Sequence, residues 1–454
     1  MKHTATLAAA TAAAVALTVL AATGTATAQD HGNAGAGGRD FYGTKTPYAP
    51  QQRLTAYQPA PAGFAPVFTE NVARHGSRAM TDSEDGDAVL AVLRDAADQD
   101  ALTDLGARLG PQVQALLDAA SALGYGNLSG RGAQEHRQTA LRMEQRLPAL
   151  FDTIADRHEP IVVETSGVAR AVASANAFTG GLVAGDPDLA GLVHAPVTDK
   201  NLLYFHKQPQ NADYRAYVDS DPDLAAVLAA IDGQARTAET AHHVVQRLFD
   251  RTFVDAMPAD RQIAFARALH QLYSAAPDLS AEAPDVDLDR FLTPPDAQWL
   301  AYLDDAEEFY QKGPAFSGRT ITYRMAGVLL DDLFAQAEAK AAGTSANGAV
   351  LRFTHAEELE PLAVLLGLPG STEPATPGEP YSYANNPWRG AQVSPMAANI
   401  QWDLFASTAT AEPRTFLVRM LYNEQETAFK ATCHPIARGS HYYRLDELRR
   451  CYGR

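Results

Sequence analysis

Four short apolar runs, Pro66 to Ala73, Pro160 to Thr165, Ala349 to Thr354 and Arg414 to Tyr422, are rich in Val, Leu, Ile or Phe and read as buried strands. Between them, 87–97, 111–123, 131–154, 174–183 and 320–341 carry apolar residues three and four apart, the spacing of amphipathic helices. Strands alternating with helices predict an α/β architecture with a mostly parallel sheet. Such sheets bind ligands in the crevice outside the carboxyl ends of their strands. The residues that follow each run are therefore the ones to read for function.

The first run delivers Arg74-His75-Gly76-Ser77-Arg78. Two arginines supply charge for a tetrahedral anion, and the glycine allows a tight turn with close backbone approach. A helix starting near Ser77 would add its free N–H groups. His75 is the one side chain there suited to attack phosphorus, because a neutral imidazole offers a nitrogen lone pair near neutral pH. The third run delivers His355-Ala356-Glu357, a second histidine with an acid two residues on.

Arg-His-Gly-x-Arg after a strand resembles the signature of the histidine acid phosphatases, a branch of the histidine phosphatase superfamily, and the distal histidine followed by an acid is its second half. His-Ala-Glu in place of His-Asp is similar to the multiple inositol polyphosphate phosphatases, which include secreted bacterial-type phytases. Phe41 to Tyr48, with Lys45, is similar to that subgroup's opening segment, and Leu417 to Glu424 to its last strand. Thr165 to Arg170, followed by Ser174-Ala175 and Phe178-x-x-Gly181-Leu182, resembles the second strand end, whose arginine completes the phosphate pocket. Leu128 to Gly132 also resembles a family turn and is expected to set a helix start. Met80 departs from the family, many members of which carry proline there.

The resemblance implies a phosphoglycerate-mutase-like α/β fold with a helical cap. It casts His75 as nucleophile, Glu357 as proton donor and Arg74, Arg78, Arg170 and His355 as phosphate ligands, with Lys45 a further substrate contact. A donor that starts protonated implies an acidic rate optimum. No metal or cofactor is expected, since arginines supply the charge neutralisation. The expected substrates are inositol hexakisphosphate (phytate) and its lower esters. A broad-specificity acid phosphatase on sugar phosphates or bisphosphoglycerate is the alternative, and a catalytically retired anion-binding protein is the alternative from another class.

With 454 residues the chain is too long for one simple core. Strand signals fade between Asn201 and Pro314, where 223–231, 238–253 and 260–275 read as helices separated by prolines. The expected organisation is a helical cap over 201–314 inserted into an α/β domain of 29–200 and 315–454, after a signal peptide at 1–28. The leader reading rests on Met1-Lys2-His3, an apolar run to Ala22 and Ala26-Thr27-Ala28, a small-x-small cleavage signature. It implies secretion to the extracellular space or the periplasm. Cys433 and Cys451, the only cysteines, are then expected to pair.

The formal net charge of −17 argues against a nucleic-acid or acidic-membrane partner, whereas a small polyanion needs only a local cluster of cations. A small phosphorylated molecule is the expected partner, and a monomer the expected state. The aspartate series at 219–223 and 285–289 and the pair His242-His243 read as solvated turns and surface rather than as ligand sets. His206 and Lys207 are expected at the surface, and Pro369 to Pro387, dense in Pro, Gly, Ser and Thr, as a surface loop near the site's rim.

Overall fold

In the computed structural model all four apolar runs are strands, and their register sets the site. Residues 41–409 and 414–454 are described, so the expected leader and the glycine-rich segment after it lie outside the described residues. Residues Asp40–Arg454 form one compact unit. The strands are β1 Phe64–Arg74, β2 Ile161–Thr165, β3 Val197–Thr198, β4 Ala349–Thr354, β5 Asn399–Ser407, β6 Phe416–Tyr422, β7 Gln425–Thr427 and β8 Tyr442–Arg444. They lie in the order β3-β2-β4-β1-β5-β6-β7, with β8 also paired to β6.

The core of the sheet is parallel. Within it Arg74 of β1 lies opposite Thr354 of β4, and Thr165 of β2 opposite Phe353. Three strands thus end level, and the residues that follow them, His75, Ser166 and His355, emerge along one edge. Alternate β4 residues serve opposite faces: Val350 packs with Val72, Leu359 and Trp402, while Leu351 and Phe353 pack with Phe151, Val163 and Phe178. That alternation holds the strand ends in register, because a one-residue slip would exchange the two faces.

On its other side β1 pairs antiparallel with β5. β5 is not legible as a strand in the sequence because Asn399, Gln401 and Asp403 interrupt its apolar pattern, yet all three are buried. Asp403 accepts from Thr69 at 2.9 Å, from Arg146 at 3.0 Å and from Arg419 at 2.8 Å, which compensates its desolvation.

The helix expected over 131–154 is two, Gly130–Arg146 and Pro148–Arg157. Pro148 disfavours helical geometry at the residue before it, and Leu147 sits at φ −125° and ψ 45°. In the segment expected to be helical, Ala212–Ser220, Pro222–Asp232, Ala235–Leu248, Arg251–Ala256, Ala259–Ala275 and Pro294–Gln311 are helices. Their apolar cluster also takes in Val89 and Leu93 of the helix Glu84–Ala97 and Leu109 and Val113 of Gly106–Leu123. The helical layer therefore draws on residues well before 201.

The segment expected as a surface loop at 369–387 is exposed at 376–380 but anchored beyond. Tyr381 is fully buried, stacks on Phe309 at 4.3 Å and accepts from Tyr302 at its carbonyl. Cys433 and Cys451 are joined in a disulfide, which ties the helix Leu445–Tyr452 to the segment before β8. Among the described residues no helix is long and apolar enough to cross a membrane.

Candidate active site

Backbone pairing carries on past the strand ends. The His75 N–H donates to the Thr354 carbonyl at 2.9 Å, and that of Ser166 to Phe353 at 3.1 Å. No helix starts near Ser77; the next begins at Glu84. Ser77 and Arg78 instead pair with the turn before Gly130, where Ser129 N–H donates to the Ser77 carbonyl at 2.9 Å and Arg78 bridges Leu128. The Gly76 N–H donates to Ser174 Oγ at 3.2 Å and the Ser77 N–H to Glu135 Oε2 at 2.8 Å. These amides are already engaged, so positive charge at this loop comes from side chains.

The expected role of Leu128 to Gly132 has a steric basis. A Cβ at Gly76 would stand 2.6 Å from the Gly132 carbonyl oxygen, and one at Gly132 would stand 2.2 Å from that of Ser77. The two backbones meet only because both residues lack side chains. Ser129 caps the helix Gly130–Arg146, accepting from the Gly132 N–H at 3.2 Å.

His75 is buried, with Nδ1 3.0 Å from the Gly76 carbonyl. A carbonyl only accepts, so Nδ1 carries the proton and Nε2 keeps its lone pair. Burial, followed by the charges of Arg74, His355, Arg170 and Arg78, pushes the imidazole well below the usual histidine range. It is neutral at physiological pH, the state a nucleophile requires.

Three arginines surround it. Arg74 donates from one terminal nitrogen to the carbonyls of Thr44, at 2.6 Å, and Ser394. Arg78 donates to the Ala79 carbonyl at 2.8 Å, and Arg170, on the first turn of the helix Ala169–Gly185, to His355 Nδ1 at 3.2 Å. The Nε of each is buried without a hydrogen-bond partner among the described residues. Burial and then the charges of Arg170 and Arg74 pull Arg78 down to about 10. Crowded cations with unspent donors are an arrangement that an anion would relieve.

His355 precedes the helix Ala356–Leu366. Because guanidinium only donates, its Nδ1 is the acceptor and Nε2–H faces Ser166 Oγ at 2.8 Å. Burial and then Arg170 lower its pKa to about 3. The His75 and His355 rings meet edge to face, with centroids 5.4 Å apart.

Glu357 stands on the first turn of that helix, its carboxylate 3.5 Å from Lys312 Nζ. Burial alone would raise its pKa, but Lys312, then His206 and His355, outweigh this and hold the carboxyl well below the usual range. The expectation of a donor protonated at rest is thereby reversed. Lys312 also meets Glu308 at 2.7 Å. It was illegible in the sequence, because a lysine at a helix end before glycine reads as an ordinary terminus.

His206 is not a surface residue: it is buried and bonded to Glu358, which also accepts from Thr354 Oγ1 at 3.0 Å. Lys207 is exposed, as expected. Lys45 donates to Gln271 and, at 3.2 Å, to Ser274 of the helix Ala259–Ala275, so its ammonium is tied to the helical layer. Burial lowers its pKa, Asp304 opposes that, and Arg78 adds to it. The two flanking segments of the resemblance meet in space: Tyr48 donates to Glu424 at 2.8 Å, and Arg142 pairs with the same carboxylate at 2.7 Å.

Comparison with known proteins matches these features. The family model of the histidine phosphatase superfamily (branch 2) matches residues 68–423. Multiple inositol polyphosphate phosphatase 1 of Gallus gallus is 26% identical, the match covering 92% of each chain. The multiple inositol polyphosphate phosphatase of Bifidobacterium longum in complex with phosphate is 31% identical, with a TM-score of 0.85, over 91% of this chain and 97% of that one. Its complex with inositol hexasulfate is similar at 30% identity and a TM-score of 0.83, with the same coverage.

Proposed function

The chain belongs to the histidine phosphatase superfamily (branch 2), and from that premise we propose that it hydrolyses inositol hexakisphosphate and lower inositol polyphosphates through a phosphohistidine on His75. The observation that carries this reading is a neutral His75 whose Nε2 keeps its lone pair, ringed by three arginines whose Nε–H groups have no partner among the described residues. The inositol hexasulfate complex of the Bifidobacterium longum protein supports the substrate, as does the contrast between this cationic cluster and the acidic whole.

In this reading Arg74, Arg78 and Arg170 bind the phosphoryl oxygens and offset the charge that builds on them, and His355 joins them once the phosphoryl group draws Arg170 off its Nδ1 and that nitrogen takes up a proton. His75 Nε2 attacks phosphorus as the ester P–O bond breaks. Glu357 protonates the departing alkoxide. An ionised Glu357 must first gain that proton, and the incoming phosphoryl charge favours the gain because like charges raise a carboxyl pKa. Once it has given up the proton, the carboxylate activates water, which attacks the phosphohistidine and frees inorganic phosphate. The helices over 201–314 roof the crevice, and Lys45 adds positive charge at its rim. Secretion to the extracellular space or periplasm, as a monomer, completes the reading, and the Cys433–Cys451 disulfide supports it.

Rapid-quench trapping of radiolabelled phosphate tests the intermediate. Label is expected on the wild-type protein, to accumulate in Glu357→Gln on an activated aryl ester, and to vanish in His75→Ala. Label that persists in His75→Ala refutes the mechanism. Turnover of inositol hexakisphosphate well below that of a simple aryl phosphate refutes the substrate.

A further inference from the structure

Ser77 lies at the bottom of the loop between Arg74 and Arg78, fully buried, and its hydroxyl sits between two carboxylates. Oγ is 2.8 Å from Glu135 Oε1, on the helix Gly130–Arg146, and 2.7 Å from Asp278 Oδ1, in the turn Ala276–Leu279 that follows the helix Ala259–Ala275. A hydroxyl has one proton to give. Both contacts are hydrogen bonds only if one of the two acids carries a proton and donates it to Oγ.

The other bonds say which acid. Glu135 Oε2 accepts from the Ser77 N–H at 2.8 Å, and Oε1 accepts from the Tyr48 N–H at 3.1 Å, with Arg131 Nε 3.8 Å away. Glu135 is thus surrounded by donors and is the ionised partner. Asp278 is the acid, with Oδ1–H directed at Ser77. Burial, and then the Glu135 charge, raise the Asp278 pKa to about 8, against the pull of Ser77, Arg78 and Arg74.

We propose that Asp278 is a positioning residue for the phosphate loop that acts only in its protonated form, by donating to Ser77 so that Ser77 stays bonded to Glu135. When Asp278 ionises, two carboxylates face a hydroxyl that can satisfy one of them, and the loop carrying Arg74, His75 and Arg78 loses an anchor. The new negative charge also opposes the phosphoryl anion. The groups facing Asp278 are Glu135 on one helix, Arg74 and Arg78 on the loop, and Lys45 on the N-terminal turn, with Arg131 donating to the carbonyl of the preceding residue, Pro277, at 3.2 Å. Burial lowers the Lys45 pKa as well, so a variant at Asp278 is needed to separate the two. This inference rests on the reading of the loop as a phosphate site, and it adds that the helical layer sets the pH range over which the loop is held.

The test measures binding of inorganic phosphate by calorimetry, and kcat/KM on inositol hexakisphosphate, from about pH 6 to about pH 9. In the wild-type protein, phosphate affinity is expected to fall by up to about tenfold per pH unit above the titration, because only the protonated fraction is competent. Asp278→Asn supplies an N–H donor at every pH and is expected to keep its affinity through that range. Asp278→Leu, of similar size with neither donor nor charge, leaves Ser77 bonded to Glu135 but loses the anchor to the helical layer, and is expected to bind phosphate with one pH-independent affinity between those of protonated and ionised wild type. If Asp278→Asn does not fold, Asp278→Thr provides a neutral hydroxyl donor for the same comparison. A decline in Asp278→Asn parallel to wild type overturns the proposal, as does Asp278→Leu binding phosphate normally at low pH. Those results leave hydrolysis intact. Failure of the functional reading would show instead as no turnover of any phosphomonoester, with the phosphate-binding arms still deciding the role of Asp278.

Discussion

Lys312 Nζ lies 3.5 Å from the Glu357 carboxylate, so a cation from the helical layer controls the ionisation of an acid on the first turn of a sheet-side helix. The two residues come from different layers, and the pair exists only when both are in place.

Removing that cation has a definite sign. Glu357 is held below its usual range, so its folded-state contribution is present above the unfolded carboxyl pKa and is lost as pH falls through the folded one. Lys312→Met is expected to raise the Glu357 pKa by about one unit or more, as loss of a neighbouring opposite charge does. If Glu357 must be protonated to release the alkoxide, the alkaline limb of kcat moves to higher pH by that amount. A kcat–pH profile of the variant that overlays the wild type removes Lys312 from control of the proton donor.

Arg170 joins the two halves of the pocket through its bond to His355 Nδ1. Arg170→Met removes a phosphate donor and frees the His355 ring, and kcat/KM is expected to fall by about a hundredfold to a thousandfold. Arg170→Lys is expected to recover little, because a point charge does not reproduce the fork of donors. Inhibition by inorganic phosphate should weaken in parallel; an unchanged inhibition constant would place Arg170 outside the pocket.

Much of this was legible in the sequence, and the reasons are physical. Buried strands keep their apolar runs because both faces meet hydrophobic layers, so β1, β2, β4 and β6 were readable with their terminal motifs. β5 was not, because its buried polar residues are compensated by Arg146 and Arg419, partners far away in the chain. Lys312 and Asp278 were missed, and His206 was placed at the surface, for the same reason. Each is an ordinary residue whose role comes from a tertiary neighbour: Glu357, Ser77 and Glu358.

Two glycines in neighbouring helices should respond in opposite ways. Gly132→Ala forces a Cβ into the Ser77 carbonyl, and the backbone shift is expected to cost about 1–3 kcal/mol and to displace the loop that carries His75. Gly180, inside the helix Ala169–Gly185, has open space where a Cβ would stand. Gly180→Ala is expected to stabilise by about 0.5–1 kcal/mol with activity unchanged. Denaturant midpoints and kcat/KM on the two proteins check both arms, and equal activities would dissociate the Gly76–Gly132 contact from catalysis.

Asp403 offers a test of the buried charges in the sheet. Burial opposes its ionisation, but Arg146 and then Arg419 outweigh this and lower its pKa. A carboxyl with a depressed folded-state pKa stabilises the fold above its unfolded pKa of about 3.9 and loses that contribution as pH falls through the folded value. Asp403→Asn leaves the buried Arg146 guanidinium without its counter-charge and Arg419 with Glu426 alone, and is expected to cost about 3–5 kcal/mol near neutrality. The difference between the two proteins should narrow as pH drops below about 4, because the unfolded wild-type chain then takes up a proton at Asp403 that the folded one resists. Urea unfolding at several pH values measures it. A gap that stays constant into strong acid would mean that Asp403 holds β5 through hydrogen-bond geometry alone, and that the charge contributes nothing to the register between β1 and β6.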